Sequence, residues 1–352
     1  MEVYLPKFRY IRYGQKGDPF YLLFGNVENG LLGNGFIVGG FRNDVHSPEQ
    51  KLFGLNFDLD GAAFEFPYIG IENVVGNLAA FDVIASRIYV RPLAGMDVPV
   101  FKDLQLGFTV AADTNPYYFS DDPAVKANSE KKSVAIWGAD IRQPLVGEDF
   151  FTLLAFIDVA SENTHIGAQV GLGGKIIKAI NYLAMVRFLQ ENFIPSYFDA
   201  SYDVMREAKS AVFNATSTVI PAYDGYLFSL GFSIPELNDG LSFLATIDGP
   251  FQADPNVPFL NPNLKAVLTL KEGVIGGLSL LASYEKKNIT SVASIVDPTN
   301  AVVGAAVGYK FGPAKLSMVY DLRYDPYSTR VVNGETQYWQ VTSRLETSIE
   351  LF

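Results

Sequence analysis

The stretch HIGAQVGLGGK, from His165 to Lys175, alternates apolar residues with glycine, glutamine and lysine. Its apolar positions are Ile166, Ala168, Val170 and Leu172. Successive side chains of a β-strand point to opposite faces, so this alternation predicts a strand with one apolar face.

Segments with the same alternation follow one another from Lys51 onward. Clear examples occupy residues 53–60, 104–113, 316–325 and 339–351. A soluble antiparallel sandwich also alternates, but its second face meets bulk water and is rich in Lys, Glu and Thr. Here the second face carries mainly Gly, Ser, Asn and Gln with isolated charges. This composition favours an interior that is enclosed by strands.

Aromatic residues concentrate near the ends of these segments. Examples are Tyr226, Phe228, Tyr284, Tyr309, Phe311, Tyr324 and Trp339. Belts of amphipathic rings at two levels are typical of strands that cross a bilayer, because such rings favour its interfaces. No uninterrupted apolar run reaches the roughly 18 residues that a transmembrane helix requires, so no such helix is expected.

Composition limits the chemistry of the chain. Its 352 residues include no cysteine and only two histidines, His46 and His165, and the formal net charge is −11. These counts exclude thiol nucleophiles, zinc ribbons and iron–sulfur clusters, and they argue against nucleic acid as a partner. No cofactor and no metal are expected.

Connections in the C-terminal half alternate in length. Short turns at residues 236–239, 271–273 and 311–313 alternate with longer polar stretches at about 249–263, 286–300 and 325–336. Transmembrane barrels have this rhythm, with short turns in the periplasm and long loops outside, which predicts a periplasmic C-terminus. One strand with its connection takes about twenty residues, so about 16–18 strands are expected.

With these rows and a final amphipathic strand that ends in Phe352, the chain resembles the Gram-negative outer-membrane β-barrel proteins, of which porins are members. The resemblance implies an all-β fold, a closed antiparallel transmembrane β-barrel formed by residues 1–352 as a single domain. It also implies an integral outer-membrane protein whose partners are the lipid bilayer and its outer-membrane lipids.

Two segments of the N-terminal half leave alternatives open. Residues 28–50 form either a loop folded into the lumen or an external loop. Residues 190–223 either contain a separate strand at about 199–208 or form one long external excursion. The excursion places the early loops outside and makes the total number of strands odd.

Charged residues fall on the non-apolar rows, which the alternation assigns to the lumen. An Arg or Lys on the lipid face would cost about 2–4 kcal/mol at the bilayer midplane. Their placement implies water or mutual pairing inside the barrel. The predicted pore-lining residues are Arg87, Tyr89, Arg91, Asp140, Arg142, Asp158, Lys175, Arg187, Lys265, Lys271, Lys310, Asp321, Arg323, Arg344 and Glu346. They either line a path for solutes or brace the wall as ion pairs.

Two functions compete on this basis. The first is a porin-like diffusion channel for small polar solutes, whose wall charges orient the permeant. The second is a plugged barrel that carries hydrophobic ligands or anchors a protein partner. A homo-oligomer is compatible with either function.

An outer-membrane hydrolase is a minor alternative, since His46 adjoins Ser47 and His165 lies near Ser161. Neighbours in sequence do not make a Ser–His hydrogen bond, so the chain is not expected to be an enzyme.

Overall fold

The computed structural model describes most of the chain. The described residues are 10–46, 50–96, 98, 100–120, 133–234, 237, 240–257, 260–299, 301–324, 331–332, 335–336 and 338–349. Ser47 and Phe352, named above for the hydrolase alternative and the terminal strand, lie outside them.

Strands dominate the described residues. In chain order they are β1 (Tyr10–Tyr13), β2 (Phe20–Gly25), β3 (Gly30–Leu31), β4 (Val38–Phe41), β5 (Gly54–Asp60), β6 (Ile69–Val75), β7 (Val83–Val90), β8 (Gln105–Asp113), β9 (Val134–Gly147), β10 (Thr152–Glu162), β11 (His165–Ile176), β12 (Ile180–Leu189), β13 (Phe198–Asp199), β14 (Tyr223–Ser233), β15 (Leu241–Pro250), β16 (Asn263–Ile275), β17 (Leu278–Lys286), β18 (Ala301–Phe311), β19 (Ala314–Tyr324), β20 (Val331–Val332), β21 (Glu335–Thr336) and β22 (Trp339–Ile349). Among the described residues, one α-helix, α1 (Tyr202–Phe213), lies between β13 and β14, and short 3₁₀ turns occupy Gly61–Phe64 and Ala293–Ile295. The described part of the chain contains no helix long and apolar enough to cross a membrane.

Seventeen of these strands belong to one sheet, and its described registers are antiparallel. The predicted all-β class and strand number are therefore confirmed. Two smaller sheets stand apart from it, one of β3, β4 and β13 and one of β20 and β21. Closure of the large sheet into a barrel stays a prediction.

Residues 190–222 form one excursion between β12 and β14, and the number of described strands in the sheet is odd. A separate strand at 199–208 was the wrong alternative, because α1 occupies most of that range. Tyr202, Arg206 and Phe213 of α1 are buried and share one helical face. Spacings of four and seven residues place them there, whereas a strand would divide them between two faces.

Contacts divide the chain into two compact units. Unit 1 comprises Met1–Val146, Leu154–Gly171 and Arg187–Tyr223, and unit 2 comprises Gly147–Leu153, Leu172–Val186 and Asp224–Phe352.

The strands of unit 1 reverse the burial pattern of a soluble protein. On β8, Phe108 and Val110 are 50% and 44% exposed, whereas Thr109 between them is 6% exposed. On neighbouring strands Trp137 is 54% exposed and Arg87 is fully buried. One face of these strands, here called the apolar face, thus presents large hydrophobic side chains outward. The opposite face is covered by other parts of unit 1.

Two segments cover that second face. The first insert is residues 26–46, between β2 and β5, and the second insert is residues 190–222. Both contribute to one buried cluster with the covered face, whose main members are Val27, Phe36, Val38, Phe41, Val74, Val83, Ala85, Ala111, Val134, Ile136, Ala160, Phe193, Tyr197, Phe198, Tyr202 and Phe213. The first insert thus packs against the strand rows that the sequence assigned to the lumen.

Unit 2 is a run of antiparallel hairpins from β14 to β19, followed by β22. Residues 276–277 and 312–313 make short turns, and residues 287–300 make a long connection between them. The register aligns Lys265 with Glu285 and Ser283 with Gly304 and Asp321 on one face, here called the polar face. Leu268, Val307 and Leu345 lie on the opposite face, which continues the pattern of an apolar face.

Candidate functional site

The tip of the first insert, Gly33–Asn34, contacts a row of charged residues on the covered face of unit 1. Arg87 of β7 donates two hydrogen bonds to Asp140 of β9, at 2.6 and 2.8 Å, and a third to Glu72 of β6 at 3.3 Å. The second carboxylate oxygen of Glu72 accepts the backbone N–H of Gly33 at 2.8 Å. The insert therefore supplies a hydrogen bond to an ion network that three wall strands build.

A second chain of hydrogen bonds continues from the same tip across three further strands. The Asn34 amide donates to Asp158 of β10 at 3.1 Å, and Gln169 of β11 donates to the other carboxylate oxygen at 2.9 Å. Arg187 of β12 donates to the side-chain oxygen Oε1 of Gln169 at 3.3 Å. Asp158 is 5% exposed, so these amides replace the water that its carboxylate loses on burial.

Gly33 fits this position for two geometric reasons. Its φ of +54° lies in the left-handed region, which glycine adopts without steric cost. A Cβ at this residue would also lie 2.9 Å from Arg87 Nε. The close approach of the insert tip to the guanidinium therefore depends on glycine.

Tyr89 and Arg91 belong to a neighbouring ion network on the same face. The Tyr89 hydroxyl donates to Asp60 at 2.6 Å, and Arg91 forms a bidentate pair with the same carboxylate. The guanidinium groups of Arg87 and Arg91 lie 4.9 and 5.0 Å from the Tyr89 ring centroid. These contacts brace β5 against β7.

Helix α1 of the second insert is anchored to the wall by Arg206. Its guanidinium donates to both oxygens of Asp113, at the end of β8, and to Asp82 at 2.8 Å. The Tyr202 hydroxyl donates to Asp113 at 2.6 Å. Arg206 also lies within 6 Å of the ring centroids of Tyr118, Phe119 and Tyr202. Arg206 is 2% exposed, and carboxylates and aromatic rings surround its guanidinium group.

Asp203, one residue after Tyr202, is less well compensated. It is 4% exposed, its Oδ1 lies 3.8 Å from Arg206, and its Oδ2 accepts no hydrogen bond from a described residue. Burial raises the pKa of Asp203 to about 7, an effect that Arg206 opposes and that Asp82, Asp113 and Asp44 reinforce. The pKa of Arg206 is raised, because hydrogen bonds and charge from Asp113 outweigh burial. The Asp203 carboxyl group therefore titrates near neutral pH.

The two inserts are also joined to each other. β4 pairs in parallel with β13, with Val38 opposite Phe198, and the Ser196 hydroxyl donates to the Gly35 carbonyl at 2.8 Å. Within the second insert, Lys209 donates to the Tyr197 carbonyl at 2.7 Å and pairs with Asp199 at 3.0 Å. Strand pairing and side-chain hydrogen bonds therefore join the two inserts to each other, and together they pack against the covered face.

Unit 2 carries the other predicted lining residues. Arg344 pairs with Asp321 at 2.9 Å and with Glu346 at 2.8 Å, and Lys315 pairs with Glu272 at 3.1 Å. Lys265 is exposed on the polar face, and Arg323 follows Asp321 on that row by register. Lys310 lies opposite Lys315, and Lys175 ends the alternating row of β11. Lys271 falls in an irregularity between Leu270 and Ile275, where the alternation is interrupted.

Asp158 accepts a hydrogen bond from the insert tip, Arg87 and Asp140 pair beside it, and Arg187 reaches Asp158 through Gln169. Arg142 lies two residues beyond Asp140 on β9. Sequence reasoning missed the helix anchor: Asp82, Asp113 and Arg206. One signal was present in the sequence of α1. Its charged residues Asp203, Arg206 and Lys209 lie on the same helical face as Tyr202 and Phe213. Glu72 and Asp60 were also missed.

The residues of the hydrolase alternative are not paired in the described part of the chain. Ser161 donates to the Asn163 carbonyl at 3.2 Å, and no described hydrogen bond joins it to His165. The His46 ring stacks on Phe119 at 4.1 Å, and its Nε2 lies 3.5 Å from the Asp203 carbonyl.

Comparisons with known proteins include a distant structural similarity. No family model and no curated protein matches the chain. Among solved structures, the FrpB iron transporter from Neisseria meningitidis (F3-3 variant) is similar over 95% of this chain, with 10% sequence identity and a TM-score of 0.35. The chain spans 62% of the length of that transporter.

Proposed function

We propose that the chain is an integral outer-membrane β-barrel that acts as a porin-like diffusion channel for small polar solutes. The reversed burial of the strands carries the membrane location in this proposal. Phe108 and Trp137 are half exposed, whereas Arg87 and Asp140 on the opposite rows are 0% and 6% exposed. Extended apolar surface of this kind is unfavourable in water and suits a lipid environment.

The path for solutes in this proposal runs along the polar face of unit 2. That face carries exposed Lys265 and the partly exposed pairs of Arg344 with Asp321 and of Lys315 with Glu272. Positive and negative side chains near one another orient polar solutes and exclude neither cations nor anions. Because the chain as a whole has a net charge of −11, we expect a mild cation preference at low salt that fades as salt rises.

The orientation proposed for the chain follows from its connections. The turns at 276–277 and 312–313 are short, and β22 pairs with β19 so that Ile349 lies opposite Ala314, beside the second of these turns. Short turns of outer-membrane barrels face the periplasm, so we place the C-terminus there.

We propose that the protein has no catalytic activity and no resident cofactor.

A plugged barrel is the second candidate, and the inserts favour it. The first and second inserts cover one face of unit 1 with aromatic residues such as Phe36, Phe41 and Tyr197. A body of this kind would close that part of the barrel to solutes, and the protein would then carry hydrophobic ligands or anchor a protein partner, alone or as a homo-oligomer.

Single-channel recording of the purified protein in planar bilayers tests both candidates. The diffusion channel predicts steady conductance and, in a salt gradient, a reversal potential of weak cation preference. Strong anion selectivity would contradict the proposed charge arrangement. An absence of conductance from correctly inserted protein would exclude the diffusion channel and support the plugged barrel.

A further inference from the structure

Exposed apolar residues extend beyond the strands at one edge of unit 1. They lie in the connections 61–68, between β5 and β6, and 91–104, between β7 and β8. The exposed fractions are 71% for Phe64, 55% for Phe66, 56% for Met96, 47% for Val100 and 50% for Phe101. These five residues are called the apolar shelf below.

Specific polar contacts hold the two connections of the shelf together. Arg91 donates its backbone N–H to the Tyr68 carbonyl at 2.7 Å and its guanidinium to the Pro67 carbonyl at 3.1 Å. Tyr68 packs so closely over Gly95 that a Cβ there would lie 2.2 Å from the Tyr68 hydroxyl. Gln143 of β9 donates to the Val100 carbonyl at 2.6 Å. The shelf is therefore a built surface, whose apolar residues are presented by contacts beneath them.

The apolar face of unit 1 leads directly to this shelf. Ile69, Val90 and Leu106 lie opposite one another on β6, β7 and β8, and they are 43%, 40% and 39% exposed. They form the last apolar rung of these strands before the chain enters the two connections. An apolar surface that continues past the end of a lipid-facing row meets the boundary between acyl chains and headgroups.

We propose that the apolar shelf inserts into the headgroup–acyl boundary of one leaflet and anchors this edge of unit 1 in the membrane. The inference rests on the proposed membrane location of the strands. Apolar side chains of interfacial elements reach about 5–10 Å into this boundary. The occupant we assign is the lipid surface, because the shelf is continuous with the rows proposed to face lipid.

Site-specific fluorescence can test this assignment, since the chain contains no cysteine. Met96→Cys and Phe101→Cys variants are labelled with an environment-sensitive NBD dye and folded into phosphatidylcholine vesicles that carry spin-labelled lipids. Phe108→Cys, on the apolar face of β8, is the lipid control. Asp149→Cys is the aqueous control, because the Asp149 side chain is 92% exposed in a turn between strands.

We expect blue-shifted emission at positions 96 and 101, with stronger quenching by spin labels near the headgroup than by labels deep in the acyl region. The Phe108→Cys label should be quenched by the deep labels, and the Asp149→Cys label by neither. If positions 96 and 101 behave like position 149 while position 108 is lipid-quenched, the shelf assignment is overturned and the membrane proposal stands. Water-like emission at position 108 would overturn both.

Discussion

Arg206 of α1 and Asp113 of β8 form a bidentate ion pair, with Nη2–Oδ1 and Nε–Oδ2 distances of 2.7 and 2.5 Å. Their side chains are 2% and 0% exposed. A pair buried to this extent has lost its hydration, and each charge is stabilised chiefly by the other and by nearby hydrogen bonds. The second insert is therefore attached to the wall through an ion pair. Removing either partner leaves the other charge buried without compensation, which is strongly destabilising.

Replacing Arg206 should release the second insert. In Arg206→Met, Asp113 and Asp82 remain buried without their cation, which costs about 3–5 kcal/mol. Hydrogen–deuterium exchange should report faster exchange for residues 202–213. Lys178→Met is the matched control, because it removes an exposed pair with Asp149 that is worth at most about 1 kcal/mol. Equal exchange in both variants would show that Arg206 is not an anchor.

The stability of the second insert should decrease as pH rises. The pKa of Asp203 is raised from 3.8 to about 7 by burial, so between these values the folded insert keeps a proton that the opened insert releases. The stabilisation is complete below about pH 4 and is lost as pH rises through 7, by on the order of a few kcal/mol.

Thiol labelling measures this effect. A cysteine at Ser210, which is 0% exposed in α1, should react faster at pH 8 than at pH 6, beyond the intrinsic change in thiol reactivity. The same cysteine combined with Asp203→Asn supplies the reference, because asparagine does not titrate. A pH dependence that is identical with and without Asp203→Asn would contradict the prediction.

Adjacent alanines on β18 test which face meets lipid. The register places Ala305 with Tyr320 on the apolar face and Ala306 with Val319, next to Arg344, on the polar face. Ala305→Arg should cost about 2–4 kcal/mol and impair folding into lipid vesicles. Ala306→Arg should fold nearly as well as the wild type, since its charge has polar surroundings. The assignment of faces in unit 2 would fail if the two variants folded equally well.

Gly33→Ala should weaken the contact between the first insert and Arg87. Alanine at a φ of +54° costs roughly 1–2 kcal/mol, and its Cβ would lie 2.9 Å from Arg87 Nε. Gly17→Ala is the control, since Gly17 has a φ of +102° and no atom within 4 Å of the added Cβ. Both variants share a strained backbone, so protease cleavage that increases within residues 26–46 of Gly33→Ala alone would identify the tip contact. Equal cleavage would assign the effect to backbone strain.

The alternation of residues was sufficient to predict strands with two different faces, whereas the strand number followed from the length of the chain. The side-chain period of a strand is two residues, so every position in a run such as 165–175 is assigned to a face as soon as one is assigned. The lengths of the connections could also be read from the sequence, because the alternation stops where a strand ends and resumes where the next strand begins. These are local properties, and a single chain contains them.

The inserts could not be derived in this way. Phe36 and Phe193 stack at 5.3 Å although they are far apart in sequence, and Arg206 reaches Asp113 from another part of the chain. Nothing in the local pattern of residues 26–46 separates a lumen-folded loop from an external one. Both have glycines and scattered apolar residues, and only long-range packing distinguishes them.

The sequence by itself thus determined the sheet and its two faces, because those depend on spacing along one strand. Only the tertiary structure decided which charges are covered, which partner each has, and that one oxygen of Asp203 accepts no hydrogen bond from the described residues. Burial and ion pairing depend on what lies across from a residue in space, and for Arg87, Asp158 and Arg206 those neighbours come from distant segments of the chain.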